Sequence, residues 1–473
     1  MVLNWLDYAV IAVYLLAIVS FGSWFARFQK STRDYFLTSH SVPWWAICFT
    51  IVATETSTLS FIGAPAGAYV GDMTFLQIAI GYIVGRLLVS VLFIPSYFRG
   101  ELFTSYELLQ RRFGAPVKNV AAVIFLVTRT FADGIRLYAT ALVIAVVTQV
   151  PVTGTVLILG VAMIIYTVRG GVSAVIWTDV VQMFIYVGGA LIVFFGLLEL
   201  IPGGWTEVTA VGADHFRIFD FSWNLSTVYT FWAGLLGGIA LTLATHGTDQ
   251  FLVQRLLSAR SAKEASTGLV LSGLIVFVQF ALFLVIGVML FVYYQSTPLP
   301  RPLERMDEVL PLFVVTSLPH GIAGFIVAAI VAAALSPSIN SMAATTVNDF
   351  YVKYVKPDAD ERTLMIVSRR ATIFWGIAQI AVAVGAQYVT RSVLDAGLAV
   401  LSLAAGPVLG AFLVGVLTRR IGTRSMLVGM ATGVTVLAWI WVTGATAWTW
   451  YALIGSGATI LAAAAASAVF DRR

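Results

Sequence analysis

Apolar windows of roughly 20 residues, the length that crosses the hydrocarbon core of a bilayer, recur thirteen times along this chain. They fall at 4–26, 44–69, 75–98, 119–149, 152–168, 172–199, 226–250, 266–294, 320–346, 368–390, 393–417, 424–443 and 446–468. Each predicts a membrane-spanning helix. The fourth is long enough to run tilted. Two polar connections interrupt the pattern: 200–225, with Pro202-Gly203-Gly204, and 295–319, which carries Pro298, Pro300, Pro302 and Pro311.

The second window is unlike the others. It reads WWAICFTIVATETSTLSFIGAPAGAY, with Glu55 among Thr50, Thr54, Thr56, Ser57, Thr58 and Ser60, followed by Gly63, Pro65 and Gly67. Interrupted backbone at membrane depth is tolerated only where protein or a water-filled cavity satisfies it. Transporters use such interrupted helices to hold ions and solutes near the midplane. This segment therefore predicts a binding site in a membrane transporter.

Composition changes the picture only by removing alternatives. The chain of 473 residues is 59% hydrophobic and 11% charged, with a mean hydropathy of +0.92. Soluble domains carry about 25% charged residues, so the fold class is an all-α polytopic membrane protein. The single cysteine, Cys48, excludes a disulfide framework and a cysteine-based metal site. The first window reads as a retained helix rather than a cleaved leader. With the N-terminus outside, 21 of the 28 lysines and arginines fall on inner loops or the C-terminal tail. Only Arg217, Arg301, Arg305 and Arg391 fall outside, and Arg86, Arg129 and Arg136 lie within windows. That asymmetry predicts an outer N-terminus and a cytoplasmic C-terminus, in the plasma (inner) membrane of a bacterium.

Several residues within the windows carry chemistry. Glu55 is costly in a bilayer, about 2.5–3.5 kcal/mol on insertion scales, so a functional role is favoured over a helix-bridging one. Arg129, Asp133 and Arg136 are spaced four and three apart on one helical face, which favours a structural or gating ion pair over solute contact. Asp179 and Gln182 follow the Gly170-Gly171 pair, and two readings stand equal: an ion ligand, or a carboxylate stabilised in the first turns of a helix. Thr242, Thr245 and His246 close the seventh window, where His246 reads equally as a ligand or a satisfied interfacial histidine. In the ninth, Pro337 interrupts a run with Ser336, Ser338, Asn340 and Ser341 and frees a carbonyl near Ala333.

Four runs, taken together, resemble the sodium:solute symporter family: YT-x-x-GG-x-x-AV-x-WTD-x-x-Q at 166–182, ELLQRRFG at 107–114, GTDQFLVQR at 247–255 and SINSMAATTVND at 338–349. The last of these, with FIGAPAGAY at 61–69, is similar to the branch of iodide, monocarboxylate and vitamin transporters. The resemblance implies a LeuT-like fold of two inverted five-helix repeats, at 44–199 and 226–417. Segments 1–43 and 424–468 would be peripheral. It implies sodium-coupled symport of a small organic solute, an organic acid or a sugar-like metabolite, by alternating access. No enzymatic activity is expected.

Residue by residue, the family's shared sodium site falls on the carbonyls of Ala53, Thr56 and Ile330 and on Ala333 and Ala334, where relatives carry hydroxyls. A further sodium site of some members would fall on Asp179, Ser336 and Pro337. By position, Ser57, Ser60, Gln77, Thr242, Thr245, His246 and Ser402 would line the solute cavity. Losing two hydroxyls weakens the shared site, and Glu55 beside it offers three outcomes: a rebuilt Na+ site, a coupling proton (H+), or an uncoupled carrier. The expected partners are a small-molecule solute and membrane lipids, with no nucleic acid and no obligate protein partner. A redox enzyme would need paired histidines on facing helices, and the four here are scattered; a channel would need a repeated pore motif, which is absent.

Overall fold

Each of the thirteen apolar windows lies on helix in the computed structural model. It describes residues 3–471 apart from 101, 304, 335–336 and 389–392, and the backbone alone for 39, 59, 146, 334 and 393–404. Helix α1 (Trp5–Trp24) begins at a capping box in which Asn4 and Asp7 satisfy each other's backbone N–H groups. The second window is two helices, α2 (Trp44–Glu55) and α3 (Thr58–Val70). There follow α4 (Leu76–Leu92), α5 (Ala115–Thr148), α6 (Val152–Leu200), α7 (Gly238–Gly247) and α8 (Ala262–Ser296). The ninth window is α9 (Ile322–Ala334) and α10 (Ile339–Ala344). The chain closes with α11 (Glu361–Ala386), α12 (Val393–Leu417), α13 (Thr423–Thr443) and α14 (Tyr451–Phe470). Short helices such as Tyr106–Phe113 and Gln250–Leu257 fill the connections.

Among the described residues, six helices taken singly are long and apolar enough to cross a membrane, or seven with the bent α2–α3 pair. α5 carries Arg129, Asp133 and Arg136 in its middle, and the α9–α10 window is interrupted. α6 absorbs two windows in 49 residues, with a kink at Gly171 (φ 56°, ψ −152°) between them. A side chain there would meet the Tyr35 carbonyl at 2.6 Å, so only glycine serves.

The break in the second window is not at Gly63 and Pro65, where the sequence suggests it. Those residues sit inside α3, and the chain opens at Thr56 (φ −82°, ψ 103°) and Ser57 (φ −98°, ψ 168°). The cause is local: the Ser57 hydroxyl accepts the Ser60 N–H at 3.4 Å and so caps a new helix start. In the seventh window Ala233–Gly237 is a π-helical turn, not an opened chain.

α8 packs along α2, α3 and α4, while α5 packs on α11 and α12; α12, α13 and α14 contact one another at the edge. α1 is fastened to the start of α9 by buried Asp7. Its carboxylate accepts the N–H groups of Gly321 (2.6 Å) and Gly324 (2.9 Å) and contacts His320 Nδ1 at 2.8 Å. An anion at a helix N-terminus is the favourable placement.

Candidate functional site

Opening the chain at Thr56 leaves the last carbonyls of α2 without helical partners. Arg136 of α5 takes one of them, donating from Nη2 to the Thr54 carbonyl at 3.1 Å. Beside this junction lies a cavity of about 440 Å³. Glu55, Ser57 and Ser60 form one wall, Arg129, Asp133 and Arg136 a second, and Phe75, Tyr82, Phe280 and Leu284 the apolar remainder. Asp72, Thr74, Tyr229 and Trp448 line the end nearest the 70–75 and 444–450 turns. A few convergent polar groups in an apolar concavity are what a small-molecule site requires.

The charges are arranged in three sets. Arg129 is ion-paired with Asp249 and lies 3.4 Å from Asp133. Asp133 also accepts the Ser338 hydroxyl, which in turn accepts from Gln379 Nε2 at 3.0 Å, tying α5 to α10 and α11. Arg136 Nη1 is 4.0 Å from the same Asp133, so its charge is the least closely matched on this wall.

The second set contains Glu55, ion-paired with Arg86 of α4. Arg86 Nη2 donates to His246 Nε2 at 3.4 Å, and His246 Nδ1 meets Thr245 Oγ1 at 2.9 Å. Thr245 already donates to the Leu241 carbonyl, so the network places the histidine proton on Nδ1. Arg86 is fully buried, and its Nε and Nη1 have no hydrogen-bond partner among the described residues. Gly273 makes room for it: a Cβ there would lie 2.9 Å from Nη1.

The third set is closed. Asp179 accepts from the Thr50 hydroxyl (2.6 Å) and from Arg255 Nη2 (3.0 Å). Arg255 also donates to Thr50 Oγ1 (3.1 Å) and the Phe251 carbonyl (2.6 Å) and lies over the Phe251 ring.

Of the expected solute residues whose side chains are described, only Ser57 and Ser60 line the cavity. Gln77 is corrected. It is buried and spent on the connection above the cavity, donating to the Thr74 and Tyr229 carbonyls and accepting the Asp220 N–H at 3.0 Å. Thr242, Thr245 and His246 do not line this cavity: Thr242 packs on Gly85, and the other two stand behind Arg86. The side chain of Ser402, and all of Ser336, lie outside the described residues.

Among expected cation ligands, Ala53, Thr56 and Ala333 are buried at the junction, and the Ile330 carbonyl accepts the Thr58 hydroxyl at 3.0 Å. Glu55 is not the free carboxylate the sequence suggests, because Arg86 holds it; the two are 31 residues apart and no local pattern pairs them. Asp179 is held by Arg255 in the same way. Sequence reasoning missed Arg86, although a charge inside an apolar window was the available signal. It also missed Phe75, Tyr82, Phe280 and Trp448, which cannot be told from the chain's other aromatics by pattern.

The sodium:solute symporter family model matches residues 35–433. The chain is 32% identical over 452 residues to the sodium/sialic acid symporter NanT of Aliivibrio fischeri, covering 92% of this chain and 87% of that one. It is 31% identical over 454 residues to the sodium/iodide cotransporter of Homo sapiens, covering 92% and 69%. A solved structure of a Na+-coupled sialic acid symporter, substrate-bound and outward-open, superposes with a TM-score of 0.92 at 29% identity, covering 99% of this chain and 98% of that one.

Proposed function

Given that the chain belongs to the sodium:solute symporter family and is a LeuT-like, sodium-coupled membrane transporter rather than an enzyme, we propose that its solute is a small organic anion whose carboxylate is held by Arg136. The observation that carries this is the position of Arg136. It lines the cavity, one arm is fixed to the Thr54 carbonyl, and the other lies 4.0 Å from an aspartate already serving Arg129. Its planar fork can accept a carboxylate at little cost in side-chain order. The N-terminus of α3, at Ser57, borders the same space and favours negative charge there. The relatives point the same way, since sialic acid and iodide are both anions. A cavity near 440 Å³ suits a molecule of sugar-acid size or smaller.

Sodium would be held at the junction of the two interrupted windows by the carbonyls of Ala53, Thr56 and Ile330. The carboxyl end of α2 favours a cation. Glu55 is reassigned as the charge partner of Arg86, which removes the free carboxylate on which the proton-coupled alternative rested. The repeats 44–199 and 226–417 would rock about the cavity. The 70–75 and 444–450 turns mark its outer mouth, with the N-terminus outside and the C-terminus in the cytoplasm of a bacterium; the lysine and arginine distribution supports this orientation.

The test is a panel of carboxylates, matched amides and neutral sugars, scored by thermal stabilisation of the purified protein in sodium and in choline. Ligands raise stability by mass action. Stabilisation by carboxylates only, lost in Arg136→Met, is expected. Equal stabilisation by the matched amide would sink the assignment.

A further inference from the structure

The shared sodium site lacks two hydroxyls at Ala333 and Ala334, yet a hydroxyl from the opposite side bonds one of the carbonyls expected to remain in it. Thr58, the first residue of α3, is 1% exposed and reaches across the junction to the carbonyl of Ile330, 272 residues away, at 3.0 Å. Both partners sit where a helix has been interrupted: α3 has just begun after the opened chain at Thr56 and Ser57, and α9 ends four residues beyond Ile330. Thr56 is fixed there as well, its hydroxyl accepting from Gln279 Nε2. A threonine hydroxyl in a helix often bonds within its own turn, as Thr178 and Thr248 do here. Thr58 forgoes that for a long-range carbonyl.

Two oxygens 3.0 Å apart can share one cation of sodium's size, since Ca2+, of nearly equal radius, sits about 2.3–2.6 Å from its oxygens. We propose that Thr58 Oγ1 is a sodium ligand that replaces the hydroxyls lost at Ala333 and Ala334, so that this chain coordinates sodium from the broken second window where relatives draw on the ninth. In the sodium-bound form the Thr58 proton turns away from Ile330 and both oxygens face the ion. In its absence the hydrogen bond seen here holds α3 to α9. The inference deepens the proposed sodium site and rests on it.

The experiment measures sodium affinity as the sodium-dependent rise in melting temperature against choline, with no solute present, on four proteins: the natural chain, Thr58→Val, Thr58→Ser, and Thr58→Val with Ala333→Ser. Thr58→Ala stands in should the valine fail to fold. Supporting groups around bound metals are worth about 10–100-fold in affinity, so Thr58→Val should lose about tenfold or more. Thr58→Ser should bind as the natural chain does, and Ala333→Ser should restore affinity to Thr58→Val. Sodium affinity unchanged or raised in Thr58→Val, with the natural chain responding, overturns the proposal alone: the hydroxyl is then only a latch. A natural chain that does not respond to sodium overturns the site reading and this inference together.

Discussion

Two intramembrane carboxylates, Glu55 and Asp179, look alike in the sequence and differ in the fold. Each has an arginine: Arg86 for Glu55, Arg255 for Asp179. Asp179 is fully buried, and Arg255 answers it with donors that also satisfy Thr50 and Phe251. Glu55 keeps 13% of its side chain exposed to the cavity, while Arg86 behind it leaves two donors unpartnered among the described residues. The first pair is sealed from the cavity, its two side chains 1% and 0% exposed. The second reaches the cavity wall through Glu55. Burial of a charged pair is therefore not a mark of function by itself; access to the cavity is the better guide.

The largest effect expected is from breaking the enclosed pair. Arg255→Met leaves Asp179 charged and buried, and removing one member of such a pair costs about 3–5 kcal/mol. Thermal denaturation should show a large loss of stability with or without sodium, and a variant as stable as the natural chain would mean Asp179 is not held by charge. Glu55→Gln should destabilise less, because the side chain borders the cavity. Adding Arg86→Met to it should recover most of the loss, the pattern of a coupled pair. That double variant should keep its sodium response; disappearance of the response would return Glu55 to the list of ion ligands.

Arg136→Lys keeps the charge but not the planar fork. Solute affinity should fall by about tenfold to a hundredfold, as hydrogen bonds to charged groups contribute about 1.5–3 kcal/mol, with sodium affinity little changed. Smallest is the connection over the cavity. Asp220 is held below the ordinary aspartate range by the N–H and hydroxyl of Ser222, with Arg217 a lesser cause. A depressed value means its contribution is present above about pH 4 and lost as pH falls through the folded value. Hydrogen exchange in residues 217–231 should rise modestly on acidification and in Asp220→Asn; identical exchange at both pH values would leave the anchoring to Gln77 alone.

The thirteen windows, the interruption in the second and the family runs are legible in the chain because each is local: apolar length and the Ser/Thr run act over one or two turns. Even so, the break moved from Gly63 and Pro65 to Thr56 and Ser57, since a proline is tolerated inside a packed helix while a serine cap starts a new one. The charge partners were not legible. Arg86 meets Glu55 across 31 residues, Arg255 meets Asp179 across 76, and Arg129 meets Asp249 across 120. Hydropathy has no term for which arginine answers which carboxylate, because that depends on how helices are stacked around the cavity. The sequence by itself determined that this is a sodium:solute symporter with a broken helix at its centre. Tertiary packing alone decided that Gln77 is spent on the connection at Asp220, that Arg136 meets the cavity with the most loosely matched charge on its wall, and that Thr58 bonds the Ile330 carbonyl across the junction.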